Sequence, residues 1–236
     1  MTTRGKSYEG AAPTGRAAPS ERRIALVIGN GRYLRESDAL TNPPNDARAM
    51  AASLSEIGFF GVHSDGDDFT VDFTVPNVPA LIDLGQQRLG RALSALARAA
   101  FGVSQAVIYY AGHGIEVGGE NYLIPIDAHL AHASDADFEL QPLSRVLRTI
   151  EGATGLRLIV LDACRNNPFR ARLFGARDAA GGLRGYEPPG NVLVAYAAKH
   201  GTVASDGKPG SANSPFAAAM LSHMTRPGLE VVDLLR

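Results

Sequence analysis

Two residues capable of nucleophilic chemistry each follow an apolar run of the sequence. Cys164, the only cysteine of the 236 residues, comes after residues 156–161. His113 follows residues 107–110 and stands 51 positions earlier (164 − 113 = 51). Continuous apolar runs of this length predict buried parallel strands, and residues just past the carboxyl ends of such strands share one edge of the sheet. We expect the thiol and the imidazole to meet at that edge.

A thiol beside an imidazole is the chemistry of nucleophilic catalysis. Cysteine reacts as the thiolate, and a neighbouring imidazole lowers the thiol pKa and later protonates a leaving amine. Gly112 and Gly114 flank the histidine and leave room for a substrate carbonyl, so the N–H groups of Gly114 and Cys164 are candidates for an oxyanion hole. A lone cysteine is more often a small buried hydrophobe. The paired strand-end positions favour catalysis here.

The rest of the sequence predicts an α/β fold with a mostly parallel sheet, because strands alternate with helices. Apolar runs predict strands over residues 24–30, 103–110, 121–125, 156–161 and 191–197. Apolar residues at helical spacing predict helices over 47–57, 89–100, 143–150 and 214–224. In this assignment His113 lies in a loop, and residues 165–190 form a long loop with little periodicity.

Composition narrows the class of protein. Lys and Arg total 23 against 24 Asp and Glu, and this balance argues against a nucleic-acid or membrane partner. One cysteine excludes an internal disulfide and favours a reducing compartment, the cytoplasm. Residues 1–21 lack an apolar core and are predicted to be a disordered leader rather than a signal peptide. The chain ends within a helix-like pattern at 231–236, so we expect a truncated C-terminus.

The two motifs carry a family resemblance. Residues 109–114 (Tyr-Tyr-Ala-Gly-His-Gly) and 162–167 (Asp-Ala-Cys-Arg-Asn-Asn) resemble the His and Cys motifs of the caspase superfamily, peptidase family C14. They are most similar to its bacterial branch, near metacaspases and orthocaspases. A histidine about 50 residues before the cysteine is a caspase pattern, although Asp162 stands where that pattern has glutamine. The resemblance runs from about residue 22 to at least residue 224.

This resemblance implies a fold and a reaction. The fold would be a caspase-like three-layer α/β sandwich, with helices on both faces of a mostly parallel sheet, in a peptidase domain over residues 22–236. Cys164 would be the nucleophile and His113 its partner in a dyad. The reaction would be hydrolysis of a peptide bond through a thioester. The partners would be protein or peptide substrates.

Resemblance also assigns the residues that bind substrate. Asp46 and Asp162 would line the pocket for the residue before the cut bond and select Arg or Lys, with Arg gaining bidentate hydrogen bonds. Backbone atoms of Ala197 and Ala198 would pair the substrate as an added strand. The alternatives are a helix N-terminal acid for Asp46, a strand-end cap for Asp162, and ordinary strand packing for the two alanines.

The loop after the nucleophile predicts a mode of activation. Caspase relatives carry a processed linker there, and this loop is rich in arginine. An enzyme that cuts after Arg would find substrates in its own chain, so a zymogen could be activated by autoprocessing. The candidate bonds follow Arg170, Arg172, Arg177 and Arg184. The alternative is a flexible basic loop that is never cut.

No cofactor is expected from the sequence, with calcium as the open question. Some metacaspases need calcium, and Asp65, Asp67, Asp68 and Asp72 form a small acidic cluster. The cluster does not fit EF-hand spacing, which favours a solvated turn. By family analogy we expect a monomer in a bacterial stress, signalling or defence pathway, with an activator protein as a further partner.

Two other classes of protein compete with the peptidase. One is a catalytically weak caspase-like scaffold, against which the intact Cys164, His113 and Asp162 argue. The other is a nucleotide-binding module. Its only signal is Gly29-Asn30-Gly31, which is too short to be a phosphate-binding loop.

Overall fold

The computed structural model describes residues 20–164, 168–174, 183–185, 192–197 and 211–235. Within these ranges a mixed sheet contains nine strands: β1 Ser20–Gly29, β2 Phe60–Asp65, β3 Asp68–Val71, β4 Ala80–Ile82, β5 Val103–Val117, β6 Glu120–Leu123, β7 Gln141–Pro142, β8 Leu156–Cys164 and β9 Val192–Tyr196. The α-helices there are α1 Pro43–Glu56, α2 Gln86–Ala99, α3 Ala136–Glu139, α4 Leu143–Arg148, α5 Pro168–Phe174, α6 Pro215–Leu221 and α7 Val231–Leu234. Two 3₁₀ helices cover Glu36–Asp38 and Ala133–Asp135.

The predicted mostly parallel sheet is confirmed at its centre. Strands β1, β5, β8 and β9 are parallel neighbours in that order, and β2 and β4 both pair in parallel with the other edge of β1. Antiparallel pairs lie at the margins, where β3 joins β2 and where β6 and β7 continue from β5. The strand that carries the histidine and the strand that carries the cysteine are therefore central neighbours.

Helices cover both faces of the sheet because each buries an apolar stripe. Ala47, Met50 and Leu54 of α1 pack with Met220 of α6 against one face. The other face is covered by α2 and α4, whose core residues are Leu89, Leu93, Leu96, Leu143, Val146 and Leu147. The predicted helices over 47–57, 89–100, 143–150 and 214–224 thus correspond to α1, α2, α4 and α6. This layering is the predicted three-layer sandwich.

Strand β5 is longer than predicted, and His113 lies inside it rather than in a loop. The pairing with β8 continues to His113, and from Gly114 onward the strand pairs with β6 instead. Gly112 has φ +154°, a conformation that favours glycine, and allows the strand to continue past the usual end of the apolar run. Gly112 and Gly114 are thus part of a strand that changes partners.

Two further expectations differ from the structure. Helix α5 lies within residues 165–190, where a loop with little periodicity was expected, because Phe169 anchors it in a buried cluster. Strand β1 begins at Ser20, so the last two residues of the predicted leader belong to the strand; residues 1–19 lie outside the described part. Among the described residues, no helix is long and apolar enough to cross a membrane.

Candidate active site

Parallel pairing places the backbones of His113 and Cys164 side by side. Their Cα atoms are register partners in β5 and β8, and neighbouring strands are separated by about 4.8 Å. The expectation that both residues meet at one edge of the sheet therefore holds for the backbone. The side chain of Cys164 lies outside the described residues, and its role as nucleophile stays a prediction.

The imidazole of His113 is buried and its tautomer is fixed by a backbone oxygen. Its Nε2 lies 2.8 Å from the carbonyl oxygen of Asp38. A carbonyl can only accept, so Nε2 carries the hydrogen and Nδ1 keeps its lone pair. Nδ1 is buried and has no hydrogen-bond partner among the described residues. The ring is held by Tyr33 and Phe169, with ring centroids 4.6 Å and 5.5 Å away.

Burial lowers the pKa of His113 below its ordinary value of 6.5. The hydrogen bond to the Asp38 carbonyl and the charge of the Asp38 carboxylate act in the opposite direction, and the charge of Arg172 lowers the pKa further. Desolvation is the largest of these effects because the charged imidazolium loses water on burial. The side chain is therefore neutral at pH 7 and able to accept a proton.

The backbone of His113 is held by two tyrosine hydroxyl groups. Its N–H donates to the hydroxyl of Tyr33 at 2.8 Å, and its carbonyl accepts from the hydroxyl of Tyr110 at 2.8 Å. A Cβ on Gly112 would lie 2.8 Å from both hydroxyl oxygens. Two features therefore favour glycine at position 112: its backbone conformation, and the lack of space for a side chain beside the two hydroxyl groups.

Asp46 and Asp162 are brought together through Ser214. Both aspartates are buried, with 1% and 8% of their surfaces exposed. The N–H of Ser214 donates to Oδ1 of Asp46 at 2.9 Å, and its hydroxyl donates to Oδ2 of Asp162 at 2.7 Å. Asn213 also donates to Asp46 at 2.9 Å, and Tyr109 donates to Asp162 at 3.0 Å. The four donors named here are neutral groups.

Three elements position this acidic pair. Asp46 stands in the first turn of α1, and Asp162 lies two residues before the end of β8, opposite Ala111. Ser214 caps the N-terminus of α6, where its hydroxyl oxygen accepts from the N–H of Ala217 at 3.0 Å. The hydrogen bonds of Asp46 with residues 213 and 214 tie the first turn of α1 to a distant segment. The Asp162 carboxylate joins β8 to α6 in the same way. Substrate selection by the two aspartates stays a prediction.

The charges of both carboxylates act on the hydroxyl group of Tyr109. Burial raises the pKa of its hydroxyl well above the ordinary value of 10.0, and the charges of Asp162 and Asp46 raise it further. The phenol is therefore a permanent donor to Asp162 across the whole physiological pH range. It connects the acidic pair to the strand that carries the histidine.

Gly114 lies within the β5–β6 pairing rather than in an open loop. A Cβ at this position would lie 2.9 Å from Cδ2 of the buried Leu183. Leu183 is followed by Arg184, whose N–H and carbonyl both bond to the side chain of Asn121, at 2.8 Å and 2.7 Å. The segment over Gly114 is thus attached to β6. The role of the Gly114 and Cys164 N–H groups as an oxyanion hole stays a prediction.

The candidate cleavage arginines fall into different environments. Arg170 and Arg172 are in helix α5, where they pair with Glu116 at 3.7 Å and Asp38 at 2.8 Å. Arg184 is exposed and lies outside the described helices and strands. Arg177 lies outside the described residues.

The candidate substrate-pairing residues lie at the end of β9. The N–H of Ala197 donates to the carbonyl of Leu161 at 3.0 Å, so this group continues the pairing with β8. Among the described strands, β9 pairs only with β8. Ala198 lies outside the described residues. Substrate pairing at both alanines stays a prediction.

The acidic cluster lies in the β2–β3 hairpin. Asp67 pairs with Arg91 at 3.7 Å, and Asp72 accepts a hydrogen bond from the N–H of Thr74 at 2.8 Å. Asp65 and Asp68 are register partners on either side of the turn. Within the described ranges, no group of three or more His, Cys, Asp or Glu could hold a metal ion. The role of calcium stays an open question.

Sequence reasoning missed several residues of this site. A tyrosine in a buried strand needs a hydrogen-bond partner, so Tyr109 carried a usable signal. Ser214 precedes proline at a helix start, a typical N-cap pattern. Asp38, by contrast, acts through its carbonyl oxygen, and no pattern of residue types predicts that contact.

The comparisons with known proteins identify the class of protein. The family model described as the caspase domain, peptidase family C14, matches residues 22–236. The chain therefore belongs to the C14 caspase-like peptidase family.

Individual relatives agree with this class. The chain is 29% identical over 147 residues to mucosa-associated lymphoid tissue lymphoma translocation protein 1 of Homo sapiens, and 28% identical to its homolog of Mus musculus. Each match covers 61% of this chain and 15% of the relative, so the chain spans only a small part of these proteins. The crystal structure of caspase-1 from Spodoptera frugiperda has the same fold, with TM-score 0.55 and 14% identity over 95% of this chain and 80% of that one.

Proposed function

We propose that this protein is a cysteine endopeptidase that cleaves after Arg or Lys with a Cys164–His113 dyad. The observation that carries the proposal is the pair of buried carboxylates, Asp46 and Asp162, joined through Ser214. Asp162 lies two residues before Cys164 in β8, next to the strand that carries His113. Nucleophile, base and a doubly acidic pocket would then occupy one edge of the sheet.

The dyad performs two acyl transfers. Nδ1 of His113 takes the proton of the Cys164 thiol, and the thiolate sulfur attacks the carbonyl carbon of the peptide bond. The carbon–nitrogen bond breaks, the amine leaves with the proton from the imidazolium, and a thioester remains. His113 then deprotonates a water molecule that attacks the thioester, and the proton returns to the sulfur. Neutral His113 with a free Nδ1 lone pair supports this role.

Charge selects the residue before the cut bond. A unit charge at 4 Å from a carboxylate interacts by about 4 kcal/mol at an effective dielectric constant near 20, compared with about 1 kcal/mol in water. Two buried carboxylates therefore favour a cation and repel an aspartate side chain. Arginine gains over lysine because its guanidinium can bond both carboxylates in a planar arrangement.

We propose that a zymogen is activated by self-cleavage after Arg184. Peptidases bind extended chain, and Arg184 is exposed and outside a helix. Arg170 and Arg172 are less suited because helix α5 would have to unfold first. Arg177 is retained as a second candidate on sequence grounds alone.

The cellular setting is proposed from sequence alone. One cysteine suits the cytoplasm, and the similarity of the motifs to bacterial metacaspases and orthocaspases favours a stress, signalling or defence pathway. We propose that the peptidase works as a monomer and responds to an activator protein.

Hydrolysis of matched fluorogenic peptides tests this function. Peptides ending in Arg, Lys or Asp differ only at the residue before the cut bond, and Cys164→Ala is the control. We expect cleavage of the Arg and Lys peptides and none in the variant. Cleavage of the Asp peptide would overturn the acidic pocket. Equal cleavage by wild type and Cys164→Ala would overturn the dyad.

A further inference from the structure

Asp38 touches the catalytic histidine and helix α5 with different atoms. Its carbonyl oxygen lies 2.8 Å from Nε2 of His113. Its two carboxylate oxygens each lie 2.8 Å from Nη1 of Arg172 in α5. Asp38 is only 2% exposed. One buried residue therefore connects the base to the first described element after the nucleophile.

Helix α5 also contacts the imidazole through Phe169. The guanidinium carbon of Arg172 stands 4.4 Å from the centre of the Phe169 ring, which meets the His113 ring edge to face at 5.5 Å. The Arg172 charge is close enough to lower the pKa of His113, whereas the Asp38 carboxylate raises it. The two charges of the ion pair thus act on the base in opposite directions.

The 3₁₀ helix that ends at Asp38 borders a cavity of about 450 Å³, lined by Leu34, Ala128 and Leu130 together with Asp38 and Arg172. The ion pair joins this segment to α5 at the wall of that cavity. A shift of the segment would move the carbonyl oxygen away from Nε2.

We propose that Asp38 and Arg172 are positioning residues, whose ion pair holds the Asp38 carbonyl in place and thereby keeps His113 in the Nε2–H tautomer with Nδ1 directed to its task. The inference rests on the proposed peptidase function and adds a coupling to it. Helix α5 starts only four residues after Cys164, so docking of the segment after the nucleophile is linked to correct orientation of the base. His113 is correctly oriented only when α5 is docked against Asp38.

A change of tautomer gives this proposal a signature that simple destabilisation lacks. The contact with the Asp38 carbonyl raises the pKa of His113, so a shift of that carbonyl should lower the pKa in both Arg172→Gln and Asp38→Asn. The pKa should fall further in Asp38→Asn, which leaves the Arg172 cation near the ring, than in Arg172→Gln, which leaves the Asp38 carboxylate there. In the described part of the chain the hydroxyls of Tyr33 and Tyr110 also contact His113, through its backbone, and both tyrosines are unchanged in the two variants.

The experiment is ¹⁵N NMR of the histidine side chains in the whole chain, with His113 assigned from the spectrum of His113→Gln. We compare wild type, Asp38→Asn, Arg172→Gln and the double variant, with Arg170→Gln as the matched control in the same helix. We expect the Nε2–H tautomer in wild type and control, a lower His113 pKa in both single variants with the larger decrease in Asp38→Asn, and an intermediate decrease in the double variant. A second tautomer should appear in both single variants.

Kinetics on an Arg peptide provide the second readout. Misplacement of a catalytic group by about 1 Å lowers rates by as much as 100-fold, so we expect kcat to fall at least tenfold in both single variants while KM stays within about twofold. Arg172→Lys, which keeps the charge without the planar fork, should retain more activity than Arg172→Gln.

The outcomes separate this inference from the proposed function. If wild type cleaves the peptide but the His113 tautomer is unchanged in the single variants, or the His113 pKa rises in Arg172→Gln as removal of the cation alone would produce, the positioning role is overturned. If wild type cleaves no peptide but the second tautomer and the lower pKa values occur, the peptidase function fails and the link between α5 and His113 stands.

Discussion

At the scale of single residues, the candidate site depends on burial of polar groups with defined partners. His113 is neutral because it is desolvated, and its tautomer follows from one carbonyl oxygen. Asp46 and Asp162 are held by hydroxyl, amide and backbone donors. His113, Asp46 and Asp162 were identified in the sequence by residue type and motif, whereas Asp38, which supplies the carbonyl oxygen, was not. Their hydrogen bonds were not predicted, because they join segments more than 50 positions apart.

The first prediction concerns the titration of His113. Its pKa in the folded protein should lie below 6.5, as measured by NMR. The unfolded chain then takes up a proton first as the pH falls through 6.5, so stability is fully present above that pH and is lost toward the folded pKa. The free energy of unfolding should fall by about 1.4 kcal/mol for each unit of pKa depression.

His113→Gln supplies the comparison for this pH dependence. As the pH falls from 7 into the acid range, the free energy of unfolding should decrease less in this variant than in wild type. The difference is the contribution of His113. A His113 pKa at or above 6.5 in the folded wild type would contradict the neutral base.

The second prediction concerns the acidic pair. Asp162→Asn keeps the shape of the side chain but removes its charge, so kcat/KM for an Arg peptide should fall on the order of 100-fold, or about 2.7 kcal/mol. Cleavage of a peptide with neutral citrulline in place of Arg should change little. Asp127→Asn makes the same substitution at an exposed site and serves as the control.

Equal losses on the Arg and citrulline peptides would mean that Asp162 supports the fold rather than selects charge. Asp46→Asn should behave in the same way as Asp162→Asn, because both carboxylates share Ser214.

At the scale of elements, the sequence predicted the central strands and the four main helices but not where β5 ends. The predicted strand stops at residue 110, and His113 was placed in a loop after it. In the structure the strand continues to Val117 because β6 replaces β8 as its partner. A change of partner depends on a second strand, which local patterns do not contain. Helix α5 was missed for a similar reason, since Phe169 is buried by distant residues.

The third prediction tests the backbone conformation of β5 at Gly112. Gly112→Ala places a methyl group 2.8 Å from two hydroxyl oxygens at φ +154°, and the free energy of unfolding should fall by about 1–3 kcal/mol or more. Gly90→Ala, in the open middle of α2, should raise it by about 0.5–1 kcal/mol. Urea denaturation of both variants measures the difference. An unchanged midpoint for Gly112→Ala would contradict the described backbone.

At the scale of the whole molecule, the fold of the C14 caspase-like peptidases brings motifs 51 residues apart onto neighbouring strands. The fold class was predicted correctly from the sequence because the apolar runs and the two motifs are local features that the family resemblance connects. The backbones of His113 and Cys164 are neighbours, as the prediction requires, and their role as a dyad stays a prediction. The link from Asp46 across Ser214 to Asp162 joins α1, α6 and β8, and only the assembled chain creates it. The segment after Cys164 is where activation is expected.

The fourth prediction is self-cleavage after Arg184. Incubated wild type should yield a new N-terminus at Gly185, detected by N-terminal sequencing, and Cys164→Ala should stay intact. Arg184→Gln should slow this cleavage strongly, whereas Arg170→Gln should not. Wild type that stays intact while it cleaves Arg peptides would contradict autoprocessing.

The most direct test of the peptidase is covalent labelling with an arginyl chloromethyl ketone, followed by intact-mass and peptide mass spectrometry. The account predicts one adduct, located on Cys164, that forms much faster than with the aspartyl analogue and is lost in Cys164→Ala. His113→Gln should slow it. No adduct on Cys164, or equal labelling by the aspartyl reagent, would contradict an Arg-selective cysteine nucleophile at this site.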